Sequence, residues 1–424
     1  MLRKILNTKN TDFSLIRGLK NASYMSVGNL ISQFVGLIGF IFIARLFGPK
    51  NYGIYTTVLA FVTFFHLFLF GGLAKAIIRE GSKRKEDFEQ ILETTIGVRI
   101  LFIILALFIC LGATFFTNYP DYLKLFIIIY SSEIVYYGLD SFIGVIYQTT
   151  EKMQYLAYFS VSTRVLVTGL SIIFLFLGAG VLTILIINLL CKFAVLIVNF
   201  LYSKRYIRFK FNINPRIASP ILKSMFIFTL IKFINVLAVK IDILMISLLS
   251  TSRDVGIYGV AHEIAREGLL LRNIVATAFF PIAVKFFHSN AIKIKTLLTY
   301  SIALFSAVFA GCFLLSFFAQ DLVILVFGIK YNHSGYILSY LIFYLPLAFL
   351  TLPFATSLQA THNEKILLVV YSLGAALNAP LNIIFFYKYG LIGIAYSTLV
   401  VFFVQSLSIS FLALRKLKAQ GYLE

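Results

Sequence analysis

Fourteen charged side chains stand inside, or at the edges of, runs that are otherwise apolar, and they define the chemistry open to this chain. Nine are cations: Arg45, Arg99, Arg164, Lys192, Lys223, Lys232, Lys240, Arg266 and Arg272. Five are acids: Glu133, Asp140, Asp242, Glu263 and Glu267. Spacing already groups some of them. Glu133 and Asp140 are seven residues apart, which puts them on one helical face. Glu263, Arg266 and Glu267 stand at i, i+3 and i+4, a register that permits local ion pairs. Catalytic and metal-binding patterns are lacking: Cys110, Cys191 and Cys312 sit singly in apolar runs and the five histidines are scattered, so neither disulfide, metal nor cofactor is expected.

The elements that hold these charges are read from the apolar runs. The chain of 424 residues is 60% hydrophobic and 13% charged, with a mean hydropathy of +0.93. Ordinary soluble domains are about half apolar and a quarter charged. Runs of roughly 20 apolar residues, the length that crosses a bilayer, recur from end to end. The expected class is therefore an all-α integral membrane protein. A net charge of +20 would point to nucleic acid in a soluble chain; here it is read as cytoplasmic loops plus a surplus inside the helices, and no nucleic-acid partner is expected. No cleavable leader is read in residues 1–20, which are basic and polar.

Twelve spans are predicted, at about 22–47, 52–73, 96–116, 123–149, 155–177, 181–202, 221–249, 254–284, 296–318, 336–361, 365–387 and 391–414. Gly48-Pro49 ends the first, because proline lacks an N–H and glycine tolerates the turn. Span 10 carries Pro346 and Pro353, and span 11 carries Asn378-Ala-Pro380-Leu-Asn382, where proline can bend a helix. With both termini cytoplasmic, the segments assigned inside hold 23 Lys and Arg, against Lys50, Lys124, Arg253, Lys330 and Lys388 outside. That skew follows the positive-inside rule.

Three short phrases return at nearly constant spacing. Tyr52-Gly-Ile-Tyr55 is echoed by Val255-Gly-Ile-Tyr258, Gln148-Thr-Thr-Glu-Lys by Gln359-Ala-Thr-His-Asn-Glu-Lys, and Gly178-Ala-Gly180 by Gly390-Leu-Ile-Gly393. The expected domains are an N-lobe at 1–203 with six helices, a basic cytoplasmic linker at 204–220, and a C-lobe at 221–424 with six more. Repeats of six crossings share one orientation and place a central site between them.

Charge inside a span is costly. A group at the centre of a helix costs roughly 2.5–3.5 kcal/mol even on the lenient insertion scale, so it must face a partner or a wet cavity. Arg45, Lys223 and Arg272 can snorkel from helix ends. The others have two readings: pairing across helices that only holds the bundle together, or a cationic cavity for an anion, most naturally a phosphate. The residues assigned to that anion site are Arg164, Lys232, Lys240 and Arg266, with Arg99 and Lys192 next. Asp242, Asp140, Glu133 and Glu263 are the candidate ion-coupling carboxylates, and Asp242 is alternatively the partner of a neighbouring lysine.

Ala44-Arg-Leu-Phe-Gly-Pro-Lys-Asn-Tyr-Gly-Ile-Tyr55, Arg79-Glu80, Val255-Gly-Ile-Tyr-Gly-Val-Ala261 and Asn378…Asn382…Tyr389-Gly-Leu-Ile-Gly-Ile-Ala395 together resemble the polysaccharide biosynthesis protein family, the Wzx-type flippases of the multidrug/oligosaccharidyl-lipid/polysaccharide (MOP) exporter superfamily. The resemblance implies two six-helix lobes around a central cavity in the bacterial cytoplasmic membrane. It implies alternating access driven by H+ or Na+, with an undecaprenyl-diphosphate-linked oligosaccharide as substrate, membrane lipid as surroundings, and polymerase or export proteins of the same pathway as partners. The product would be an O-antigen, capsule or exopolysaccharide. The alternatives are a small-molecule or drug exporter of the same fold, which would favour an acidic site, and a membrane polymerase or glycosyltransferase, which would need a larger soluble loop than any here. No enzyme activity is expected.

Overall fold

The computed structural model describes residues 11–69, 77, 88–205, 214–215, 217–219, 222, 229, 240–289 and 294–420. Among these residues it is helical, without strands. Nine stretches of them are long and apolar enough to cross a membrane. The first, Ser23–Leu69, covers most of the first two predicted spans, and residues 70–73 of the second lie outside the described residues. Predicted span 7 lies largely outside the described residues, as do Lys223 and Lys232.

The chain forms two compact units: Met1–Phe47 with Val58–Phe233, and Gly48–Thr57 with Ile234–Glu424. Ten residues of the N-terminal half are thus built into the second unit.

The first unit contains most of helix α1, Thr11–Phe65, which continues as a 3-10 turn over His66–Leu69. Helix α1 is broken at Gly48, whose backbone (φ 70°, ψ 173°) is open to glycine alone. Pro49 follows as the first residue of the second arm, where its missing N–H is no loss. Helix α2 spans Phe88–Phe116 and ends at a turn over Thr117–Pro120. The predicted fourth span is bent into α3, Asp121–Tyr130, and α4, Glu133–Thr149. The bend falls at Ser131-Ser132, whose hydroxyls donate back to the carbonyls of Ile128 (2.7 Å) and Ile129 (2.9 Å). It makes Glu133 the first residue of α4, where the helix dipole favours a carboxylate. Helices α5, Met153–Phe176, and α6, Val181–Ser203, follow in the same unit. Tyr136, Ile143, Tyr147 and Leu196 form a buried cluster on which α4 and α6 meet.

The second unit opens with α7, described over residues 240–249. It continues with α8, Ser252–Ser289, and α9, Ile294–Phe327. Helix α9 runs nine residues past the predicted end of span 9. The stretch expected as a connection is apolar enough to continue the helix until Gly328 (φ 94°) turns it. Predicted span 10 is divided into α10, Asn332–Leu341, α11, Tyr344–Leu350, and α12, Leu352–Ala360. Pro346 and Pro353 each fall in the first turn after a break, the position proline tolerates. Arg272 on α8 donates to the Ala348 carbonyl at 2.7 Å, one of the last carbonyls of α11. Helices α13, Glu364–Tyr389, and α14, Leu391–Ala419, turn at Gly390 and pack as a hairpin. In both units large apolar side chains such as Phe108, Leu190, Leu314 and Phe411 stay exposed, as lipid-facing positions must.

The internal repeat is visible in the backbone. Among the described residues only Glu151 (φ 56°) and His362 (φ 57°) are non-glycine residues with positive φ. They occupy matching places in the second echoed phrase. Each follows a threonine, Thr150 or Thr361, whose hydroxyl donates to the carbonyl four residues back. Next, Lys152 N–H bonds Tyr147 O (2.8 Å) and Asn363 N–H bonds Leu358 O (2.7 Å), closing the same left-handed helix cap.

The first echoed phrase is joined to its copy within the second unit. A Cβ on Gly53 would collide with the Ser252 carbonyl, and one on Gly256 with the Pro49 carbonyl. Backbone meets backbone there, and nothing flexible can give way. Gly53→Val is therefore expected to destabilise the protein by more than the ~1–3 kcal/mol of ordinary overpacking. A fall in the detergent-solubilised unfolding temperature checks this; an unchanged value would mean that the two segments can part freely.

Candidate functional site

Each unit holds one polar constellation, and the two differ in kind. In the first unit, α4 faces α6 through two rungs seven residues apart on both helices. On one rung Lys192 donates to Glu133 Oε1 (3.1 Å). On the other, Asn199 donates to Asp140 Oδ1 (3.1 Å) and receives the Tyr147 hydroxyl (2.7 Å). The shared face expected for Glu133 and Asp140 thus looks toward α6.

The upper rung extends further. His66 Nε2 lies 2.5 Å from Glu133 Oε2, and its ring stacks on Tyr137 at 4.1 Å. Lys192 also donates to the Tyr130 hydroxyl (3.1 Å), which in turn donates to Asn188 (3.2 Å). The Lys192 ammonium lies 5.5 Å from the ring centres of Tyr130 and Tyr136, within cation–π range. Arg164 on α5 interacts electrostatically with this same Tyr130. Its guanidinium lies over Gly36 of α1, in the space that a side chain there would fill. Arg164 is exposed and makes no hydrogen bond or ion pair among the described residues. Two cations therefore converge on Tyr130, one of them unneutralised.

Arg99 behaves differently. It is 2% exposed and donates to the carbonyls of Leu69 and Gly138 and to Ser141 Oγ. These contacts tie α2 to α4 and to the end of the 3-10 turn, and they use the edges of the guanidinium that would otherwise meet an anion.

In the second unit, Asp242 on α7 is 3% exposed. Its Oδ2 accepts from Tyr258 on α8 (3.0 Å) and Thr398 on α14 (3.0 Å), and its Oδ1 accepts from Asn382 on α13 (2.8 Å). Asn382 also donates to Asn378 and receives Ser397. The Ile394 carbonyl lies 3.0 Å from Thr398 Oγ1. Among the described residues Asp242 has no ion pair. A buried carboxylate held by three neutral hydrogen-bond donors and facing no ion-pair partner is a group that a proton or a cation can neutralise. His262 stacks near Tyr258 at 6.0 Å.

Lys240, two residues from Asp242 and so on another face of α7, interacts with Glu263. Arg266 pairs with Glu263 (2.5 Å) and Glu267 (3.4 Å). Two residues assigned to the anion site thus stand beside two acids. Of the ten site residues read from sequence, nine are described, and the structure gathers Glu133, Lys192 and Arg164 around Tyr130, and Lys240, Glu263 and Arg266 on α7 and α8. Sequence reading did not assign His66, Tyr130, Asn188, Tyr258 or Thr398 to a site. Asn378 and Asn382, four apart in an apolar run, carried the one signal that could have marked the carboxylate's partners.

A family model described as polysaccharide biosynthesis protein matches residues 18–287. No curated protein matches the chain by sequence. Among solved structures, the lipid II flippase MurJ in an inward closed conformation aligns with a TM-score of 0.73 and 18% identity, over 94% of this chain and 87% of that one. A multidrug resistance MATE family transporter of the MOP superfamily, in an inward-facing conformation, aligns at 0.67 and 16%, over 94% and 98%. A MOP superfamily transporter from Pyrococcus furiosus, whose reverse pocket polarity is said to suggest a different function, aligns at 0.60 and 16%, over 95% of each chain. At these identities the likeness is one of fold.

Proposed function

Because the chain belongs to the polysaccharide biosynthesis protein family, we propose that it turns an undecaprenyl-diphosphate-linked oligosaccharide from the inner to the outer leaflet of the bacterial cytoplasmic membrane. The units divide the work by charge. Arg164 and Lys192, converging on Tyr130, receive the diphosphate. Asp242, with Asn378, Asn382 and Thr398, takes the coupling ion, H+ or Na+. Twelve crossings with both termini inside complete the reading, the bent α1 supplying two of them.

The observation that carries this proposal is Arg164. A guanidinium without a hydrogen bond or ion pair among the described residues, lying over a glycine on the neighbouring helix, is poorly explained as bundle glue. It suits a phosphate oxygen, which guanidinium binds well. A drug exporter of the same fold would use an acid at such a position to hold an organic cation.

The test is flipping of fluorescently tagged undecaprenyl-diphosphate oligosaccharide in proteoliposomes, with and without an H+ or Na+ gradient. Gradient-dependent flipping is the expected result, and the effective gradient identifies the ion. Failure to flip any diphosphate lipid with folded protein would transfer the proposal to the small-molecule exporter.

A further inference from the structure

We infer that the His66–Glu133 pair is a proton site that decides whether Lys192 is open to an anionic ligand. The inference rests on the reading that the first unit receives a diphosphate, and it adds to that reading a rival for the same ammonium. Glu133 Oε1 holds Lys192 at 3.1 Å, while Oε2 is held by His66 at 2.5 Å. A phosphate arriving between Arg164 and Lys192 would bring its charge against a carboxylate already bound to one of its two partners. Like charges disfavour each other's ionisation, so the cheapest accommodation is for Glu133 to take up one proton.

The exchange balances. An O–H bond forms at Glu133 Oε2 as an N–H bond breaks at His66 Nε2, and a proton from solution binds His66 Nδ1, so the ring stays neutral and Nε2 accepts from the new O–H. Lys192 keeps its charge throughout, exchanging a carboxylate oxygen for a phosphate oxygen. Tyr130 remains its second acceptor. The groups facing Glu133 are His66 from the 3-10 turn, Tyr130 from α3, Tyr136, Tyr137 and Asp140 along α4, and Lys192 and Asn188 from α6. Arg164 on α5 acts through Tyr130, and Arg99 on α2 through Tyr137. Asp140 already receives Asn199 on the next rung, which leaves Glu133 as the acid in direct contact with Lys192.

Linkage fixes the sign. Ligand binding takes up a proton, so affinity rises as pH falls, and a protonated pair favours the ligand-bound state. The ligand's own second phosphate ionisation, near pH 6, would act in the opposite direction, because a more highly charged ligand binds cations better.

Farnesyl diphosphate added to the purified full chain in weakly buffered detergent solution tests this, with a pH indicator and an equilibrium binding measurement. The wild type is expected to take up about one proton per ligand and to bind roughly tenfold tighter at pH 6 than at pH 8. Glu133→Gln should bind at least as tightly at both and take up no proton. His66→Gln, which keeps a hydrogen-bonding side chain, should shift the midpoint of uptake and serves if Glu133→Gln does not fold. Binding without proton uptake, or identical uptake in both variants, would overturn the inference alone. No binding at either pH would overturn it together with the diphosphate reading.

Discussion

Asp242→Asn is expected to abolish gradient-driven translocation while leaving the protein folded. The substitution keeps the shape of the side chain and removes its charge. With its oxygen turned to Tyr258 and Thr398, the new amide presents its N–H2 to Asn382, whose own amide must turn over to accept it. A coupling cation would lose its only anionic ligand among the described residues of the shell. Disturbing groups one step removed from a metal already lowers affinity by about 10–100-fold, and removal of the charged ligand itself should exceed that. A cation that binds the folded state at a hundred times its Kd stabilises it by about 2.7 kcal/mol. That thermal stabilisation by the effective ion should be present in the wild type and missing in the variant. An Asp242→Asn protein that is still driven by the same gradient would remove this carboxylate from coupling.

Arg164→Ala carries the second large effect. A hydrogen bond from a charged donor contributes about 1.5–3 kcal/mol, which corresponds to roughly ten- to more than a hundredfold in substrate affinity. Export of polymer and flipping of the diphosphate lipid should fall by that order. Stability should hold or rise, since the residue makes no described hydrogen bond or ion pair and its removal relieves an unneutralised charge in a span. A structural charge would give the reverse result, lower stability with normal transport. Arg164 is the better probe of the pair. Lys192→Ala would also strip Glu133 of a cation, and a buried charge that loses its partner costs about 3–5 kcal/mol in its own right.

These expectations depend on features that sequence revealed unevenly. The apolar runs located the helices, and Gly48-Pro49 marked the break in α1, because glycine and proline act locally. The Gln148 and Gln359 phrases marked a repeat, and the structure adds that each closes its helix with the same cap. Breaks that depend on serine were invisible: Ser131-Ser132 bends a span only when its hydroxyls turn back to the helix, and such serines also occur in straight helices. Helix α9 overran its predicted end because apolar residues continue to its turn. The charges were legible, but their partners were not. Helical periodicity gives the face of a residue and leaves open the register of the helix opposite. Hence Lys240 was assigned to an anion and stands beside Glu263, and Arg99 was assigned likewise and ties backbone carbonyls together. His66 was passed over because a lone histidine offers no pattern until α4 brings Glu133 beside it.

The ten residues from Gly48 to Thr57 that belong to the second unit have a consequence for biosynthesis. The ribosome completes Gly53 about two hundred residues before the Ser252–Gly256 backbone against which it packs. At 5–20 residues per second this is a wait of roughly 10–40 s. During that interval the second arm of α1 lacks the neighbour against which its backbone packs. Folding from the N-terminus onward cannot finish the first half on its own. An early segment thus joins a body that did not exist when the segment was made.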